Sequence, residues 1–387
     1  MKFALMMMLA WATIMPMEAQ NDSVPSKKEL LKQRIREDVE AIKNAPTTQA
    51  RKDSIDRIIQ SKIENNTKLT DKQKERLLKN YALVQKIDTK MSNSYHSTKK
   101  YDTLYLRRPD QMFTLTTKTN IGGLGIDLKG DIEGISYRSR TTSDLSFTTA
   151  FNISYQGIGA GFSLNPMKWA GKNKDFEINV NSYSNQWGVD VIYQDAKTLN
   201  GYFQYNGKRC ELANEDLRSK MLNINGYYAF NYRKFSFPAA FAQSYIQLKS
   251  AGSFLLGLSY LGGEIKTQNE LSDEVKDYRV YTGHFALGAG YGYNFVLPHR
   301  WMLHVSALPT VVVFNRNNIK LNGEKYKSPF YFPDFIFTER MALVHYFTSN
   351  FFMSYTAILT NSVIGKPDKQ LMVYNKWRAV AMLGWRI

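Results

Sequence analysis

Covalent cross-links are the first thing this sequence lacks: its 387 residues include a single cysteine, Cys210. That excludes an intramolecular disulfide and a lipid-anchored N-terminal cysteine. Long apolar runs are scarce too. Beyond the N-terminus nothing reaches the eighteen or so apolar residues of a membrane helix, so any membrane crossing must be made by strands closed into a barrel. Five histidines leave few general bases and few metal ligands. Acidic residues are outnumbered, 34 Asp and Glu against 51 Lys and Arg, for a net charge of +17.

What the chain has in quantity is aromatic side chains. There are 24 Tyr and 22 Phe in a sequence that is 43% hydrophobic, yet the mean hydropathy is only −0.39. Alternating strands have that composition. In HFALGAGYGYNF, residues 284–295, Phe285, Leu287, Ala289, Tyr291, Tyr293 and Phe295 occupy every second position, with His284, Ala286, Gly288, Gly290, Gly292 and Asn294 between them. The period of two predicts a strand with one bulky face and one nearly bare face. A soluble sheet would cover its second face with Thr, Lys or Glu. Here the bulky face is expected to meet lipid and the small, polar face a crowded barrel interior.

The N-terminus reads as an export signal, residues 1–19: Lys2, an apolar run from Phe3 to Met15, and a small residue, Ala19, at the expected cleavage point. Residues 20–100 read as a helical periplasmic arm and linker. Apolar positions recur at three and four (Leu31, Ile35, Val39, Ile42; Ile55, Ile58, Ile59, Ile63; Leu77, Tyr81, Val84), which predicts three short amphipathic helices. Ser26 with Glu29 and Thr70 with Gln73 fit capping boxes. Between Lys27 and Lys90, 17 Lys and Arg face 10 Asp and Glu. The arm is either a solvated spacer or a surface for an acidic periplasmic partner.

Residues 101–387 alternate repeatedly. Phe147, Phe151, Ile153 and Tyr155 share one face; Trp187, Val189, Val191 and Tyr193 another; Leu222, Ile224, Tyr228 and Phe230 a third, opposite Gly, Asn, Ser, Thr and scattered acids. The fold class is therefore all-β: a closed antiparallel transmembrane β-barrel of about twelve strands with an N-terminal α-helical extension. Trp187, Tyr193, Trp301, Tyr355 and Trp377 suit interfacial girdles. The C-terminal RAVAMLGWRI looks like a closing strand, of the kind the barrel-assembly machinery handles, although it lacks a terminal aromatic residue. An exported soluble β protein is the alternative, but its outer faces would be charged.

NYRKFSFPAAFAQSYIQLKSAGSFLLGLSY (231–260), with YDTLYLRRPD (101–110), SYQGIGAGFSLN (154–165) and GYGYNFVLPHRW (290–301), resembles an uncharacterised Bacteroidota outer-membrane β-barrel family, domain of unknown function 4421, over about the last three-quarters of the chain. The resemblance implies a fold and a membrane; it brings no reaction and no catalytic residues.

Residues 235–250 fit either a strand or a helix. If the segment folds inward, it narrows the lumen and offers Gln243, Gln247, Lys249 and Ser250 to a small polar solute. Glu177 and Asp190, on the small faces of adjacent strands, together with Asn179, Asn181, Asn223 and Asn225, suit a lumen hydrogen-bond network. His284 and His304 fall too far apart for a dyad, His345 has no serine elbow near it, and no cysteine–histidine spacing fits a metal. The expectation is an exported outer-membrane protein of a Gram-negative cell envelope, with no cofactor, metal or enzymatic activity. It would be a narrow channel, a solute- or lipid-binding barrel, or a structural component, with an outer-membrane lipid hydrolase as the alternative. Membrane lipid and lipopolysaccharide are the expected partners of its positive charge. An exported chain without a basic recognition module excludes nucleic acid.

Overall fold

Alternation builds strands throughout the C-terminal part of the chain. The computed structural model describes residues 36–38, 40, 48–67, 69–156, 158–166, 175–271, 275–328, 331–366 and 369–387. The expected signal segment and the Ser26 capping box lie outside them. The described chain falls into two units, one up to Ser94 and one from Tyr95 onward.

The first unit is a helical hairpin. Helices α1 (Thr48–Glu64) and α2 (Asp71–His96) pack Ile59 and Ile63 against Tyr81. Two long helices stand where the periodicity predicts two of three short ones. At the start of α2, the Thr70 amide donates to Gln73 Oε1 at 2.9 Å and the Gln73 amide to Thr70 Oγ1 at 3.4 Å, a reciprocal capping box.

The second unit is the sheet. Its strands are β1 (Leu106–Arg107), β2 (Phe113–Ile132), β3 (Ile135–Ser143), β4 (Ser146–Tyr155), β5 (Ile158–Leu164), β6 (Phe176–Tyr183), β7 (Trp187–Tyr205), β8 (Lys208–Ala229), β9 (Ile246–Gln247), β10 (Ala251–Thr267), β11 (Tyr278–Leu297), β12 (Trp301–Asn315), β13 (Asn317–Leu321), β14 (Glu324–Ser328), β15 (Phe335–Tyr346), β16 (Phe351–Lys366) and β17 (Gln370–Arg386). β2, β3, β7, β8, β10, β11, β12, β15, β16 and β17 form a closed antiparallel ring. Ten strands thus close the ring, while at the end where β2 begins β4, β5 and β6 stand in the wall in place of β3, which brings the count at that level to the twelve expected.

The difference arises at one level of the wall. β2 pairs with β3 from Gly125 to Ile132 but with β4 from Phe113 to Gly122. Below β3 the wall therefore runs β2–β4–β5, then β6–β7, and among the described residues β5 pairs with β4 alone and β6 with β7 alone. We call the end where β2 begins and β17 finishes the proximal end, and the opposite one the distal end.

Polarity inverts along the strands. In the proximal half of β10, Phe254, Leu256 and Leu258 point outward, 70%, 53% and 41% exposed, while Ser253 and Ser259 point inward and are buried. In its distal half the inward residues are Leu261 and Ile265, and the outward ones Glu264 and Lys266. β2 makes the same exchange at Gly122 and Gly123: Leu115 and Ile121 lie outside before it, Leu124, Ile126 and Leu128 inside after it. Distal outward faces carry ion pairs, Arg138 and Arg140 with Asp127, and Arg218 with Asp195. The apolar belt is thus about nine residues of strand tall, ~25 Å at the usual tilt, enough to match a hydrocarbon layer. Above it the barrel has the pattern of a soluble sheet, with an apolar core and a charged exterior.

This corrects the expectation of a small, polar interior throughout. The distal interior is a packed core that includes Leu199, Phe203, Leu217, Ile265, Tyr278 and Tyr374. One girdle assignment shifts: Trp187 and Trp301 open strands at the proximal end, Tyr193 and Trp377 lie at the distal edge of the belt, level with Gly262 and Gly123, and Tyr355 lies within it.

Several inward glycines make room for large neighbours. A side chain at Gly384 would meet the Phe352 ring, one at Gly257 the Leu308 side chain, and one at Gly188 the Tyr227 ring. Gly288 and Gly290 have another cause, the backbone carbonyls of Pro309 and Ala307 on β12.

The proximal end is filled by the segment after β8. Ser236 caps a one-turn helix, α3 (Phe237–Phe241), accepting from the Ala239 amide at 3.1 Å and donating to Asn185 Oδ1 at 2.7 Å. Phe235 and Phe237 are wholly buried among Tyr227, Leu255 and Leu308. β9 pairs with β1, Leu106 opposite Gln247, which ties the approach to the barrel to this plug.

Candidate functional site

Between the plug and the distal core lies a layer of inward polar side chains, positioned by the two-residue period of their strands. Asp190 on β7 is its centre. It accepts from Arg340 Nη2 on β15 at 2.7 Å and from the Tyr183 hydroxyl, with Arg340 and Asp190 both nearly inaccessible. With its amide turned, Asn181 donates to Asp190 Oδ1 at 3.0 Å and to Asn179 Oδ1 at 2.6 Å. Asn225 Nδ2 donates to Asn223 Oδ1 at 2.7 Å, and Asn225 Oδ1 accepts from the Ser259 and Thr338 hydroxyls. Asp190, Asn223 and Asn225 therefore sit together in the interior.

Glu177 lies on the same inward layer, in a separate cluster at its open edge. Its carboxylate accepts from Lys376 Nζ at 2.6 Å, and Lys376 also donates to Gln194 Oε1 at 2.6 Å. These residues line a cavity of about 430 Å³ with Asn120, Asn179 and Arg378. Ser163 and Leu164 at the end of β5, and Asp175 and Phe176 at the start of β6, form its side wall. The cavity thus lies where, among the described residues, β5 and β6 do not pair, at the level where outward faces change from apolar to charged. Trp377 and Gly122, in the same lining, mark that level.

The plug residues divide. Gln243 and Gln247 are buried, but their amides serve the protein. Gln243 Nε2 donates to the Ala240 carbonyl at 2.7 Å, and Gln247 Nε2 to those of Lys234 and Lys249 at 2.6 and 2.9 Å. Lys249 and Ser250 do not line the lumen, because the chain has already turned toward β10 there. Both are exposed, Lys249 above the Tyr105 ring and Ser250 accepting from the Val296 amide at 2.9 Å.

A further polar array lies between the plug and β12. His304 Nδ1 lies 2.7 Å from Asn294 Oδ1 and its Nε2 lies 3.0 Å from Ser306 Oγ. This is the order of an orienting group, a base and a hydroxyl. Its signal is a His and a Ser two apart on an inward face, opposite Asn294 in register. The rings of Phe235, Phe237 and Phe241 surround His304, and the Asn294 amide also donates to Ser236 O and Gln247 Oε1. As folded, the array locks the plug to β11 and β12. His345 instead stacks on Trp301.

Residues 100–330 match the model of a domain of unknown function, DUF4421. The chain belongs to this family. The match ends before β15, so the last three strands of the DUF4421 ring lie beyond it, and it is shorter than the resemblance in the sequence suggested. Curated proteins yield no match. Among solved structures, the translocator domain of autotransporter NalP from Neisseria meningitidis is similar at 6% identity, over 80% of this chain and 98% of its own, with a TM-score of 0.28. The transport unit of autotransporter AIDA-I from Escherichia coli is similar at 10% identity, over 77% and 97%, with a TM-score of 0.30. Outer-membrane expressed OmpT of Vibrio cholerae aligns at 7% identity over 71% and 99%, with a TM-score of 0.25.

Proposed function

We propose that this DUF4421 protein is an outer-membrane barrel that receives an amphiphilic ligand through its side wall and does not conduct solute along its axis. The observation that carries the reading is the coincidence of three features at one level: the lack of pairing, among the described residues, between β5 and β6, the polar cavity behind it, and the edge of the apolar belt. A polar head held by Asn120, Asn179, Gln194 and Arg378 leaves its tail to run over the outward faces of Leu164 and Phe176. The axis offers no such path, because the aromatic plug fills one end and the apolar core the other. Long connections at 268–277 and 316–334 both lie at the distal end, as extracellular loops do, and on that ground we place the distal end outward. The cavity then faces the outer leaflet, where lipopolysaccharide or another amphiphile supplies the head.

The test pairs planar-bilayer conductance with the binding of a fluorescent anionic amphiphile to the protein in neutral detergent. The account expects no steady conductance, and saturable binding weakened roughly tenfold by Arg378→Ala, the loss of one charge-assisted contact. A steady conductance in the wild-type protein, or binding indifferent to both Arg378→Ala and Asn120→Leu, contradicts it. The Asn294–His304–Ser306 array supports lipid hydrolysis as a second reading. Labelling of Ser306 by a fluorophosphonate, lost in His304→Ala, favours it; absence of labelling in native membranes rejects it.

A further inference from the structure

A second cavity, of about 580 Å³, opens at the proximal end between β1, the β11–β12 turn and the end of β17. Arg107, Arg300 and Arg386 line it, with Leu248, Val296 and Trp301 on one side. Arg386 is wholly buried. Its Nη2 donates to the Gln243 carbonyl at 3.0 Å and its Nη1 to that of Ser349 at 3.4 Å, its guanidinium lies over the Phe352 ring at 4.6 Å, and its Nε has no partner. Among the described residues no carboxylate forms an ion pair with Arg386, Arg107 or Arg300, whereas buried Arg340 holds Asp190 and buried Lys376 holds Glu177.

A guanidinium stays charged at any physiological pH, so burial cannot neutralise Arg386 as it neutralises a lysine. Carbonyl oxygens and ring faces compensate part of that charge, and a buried cation without an anion remains costly. The buried Arg386 together with the exposed Arg107 and Arg300 around one cavity makes a receptor for an anion with several oxygens, since the planar fork matches phosphate geometry. The apolar side of the cavity continues into the belt: Leu248 and Leu297 are 41% exposed beside Trp301. We propose that this cavity binds a phosphate ester, the headgroup phosphate of a phospholipid in the proximal leaflet, with the acyl chains lying along β11 and β12.

The site is separate from the cavity at β5 and β6 and does not depend on it. Native mass spectrometry of the full chain in neutral detergent tests it with three probes: phosphatidylglycerol, diacylglycerol with the same chains, and inorganic phosphate. In an Arg378→Ala background, which disables the other cavity, the expected result is retention of phosphatidylglycerol but not diacylglycerol, with retention reduced about tenfold when the exposed pair Arg107→Gln/Arg300→Gln or Arg386→Gln is added. Competition by millimolar inorganic phosphate at equal strength supports phosphate recognition and assigns it to a free phosphate; failure to compete assigns it to the lipid. Equal retention of diacylglycerol, or unchanged retention in the folded Arg107→Gln/Arg300→Gln variant, overturns the proposal.

Discussion

Asp190 and Arg340 illustrate how single residues specify this interior. Both are almost completely buried, and each is the other's ion-pair partner. Replacing Arg340 by Met strands a carboxylate with one partner fewer, and is expected to cost about 3–5 kcal/mol, whereas Asp190→Leu/Arg340→Met together recovers most of the loss. Urea unfolding in bilayers, followed by heat-modifiable gel mobility, measures both. Packing makes a second demand. Leucine at Gly384 would drive into the Phe352 ring, so Gly384→Leu is expected to cost about 1–3 kcal/mol, with part regained when Phe352→Ala is added. Asp334, before β15 at the distal end, accepts from the Gly365 amide at 2.7 Å, and burial pushes its carboxyl above the usual range. A raised folded pKa favours the protonated form, so the stability it contributes is full below the unfolded value near 3.9 and lost as pH rises through the folded one. Acidification from pH 7 toward the unfolded value should therefore stabilise the wild type more than Asp334→Asn, which a paired urea titration at each pH would reveal.

At the scale of elements, the plug is held by aromatic burial and by one polar lock, Asn294 with His304, Gln247 and Ser236. Phe237→Ala removes a wholly buried ring and is expected to cost about 3–5 kcal/mol. Because that loss falls on the plug, limited trypsin should cut at Lys234 or Lys249 in the variant before the barrel unfolds, and not in the wild type. The strands themselves were legible because a period of two survives any tertiary context, as residues 284–295 show. The plug was not, because FPAAFAQSYIQ satisfies both periods and only the closed ring decides that it turns inward. Lys249 and Ser250 fell outside the lumen for the same reason: where the segment leaves the interior is set by β9 pairing with β1, a contact between residues far apart in sequence. The Asn294–His304–Ser306 array depends on register across a turn, which spacing along one strand cannot supply.

For the whole molecule, the sequence showed bulky and bare faces but not that they exchange sides. Both halves of β10 alternate, and only the ring tells which parity points inward. Once it does, Leu261 and Ile265 become core while Phe254, Leu256 and Leu258 become a surface that hydrocarbon must cover. The half-height belt, the cavity between β5 and β6 at its edge, and the arginine-lined cavity at the opposite edge all follow from that reading. The measurement that tests it most directly is spin-label accessibility along the outward positions of β10. In a Cys210→Ser background, single cysteines replace Phe254, Leu256, Leu258, Tyr260, Gly262, Glu264 and Lys266 in turn, and the labelled protein is reconstituted in bilayers. The account predicts oxygen access without access by a water-soluble nickel chelate at 254, 256 and 258, and the reverse at 264 and 266. Chelate access at 256 and 258, or a lipid-like profile that continues to 266, would contradict it.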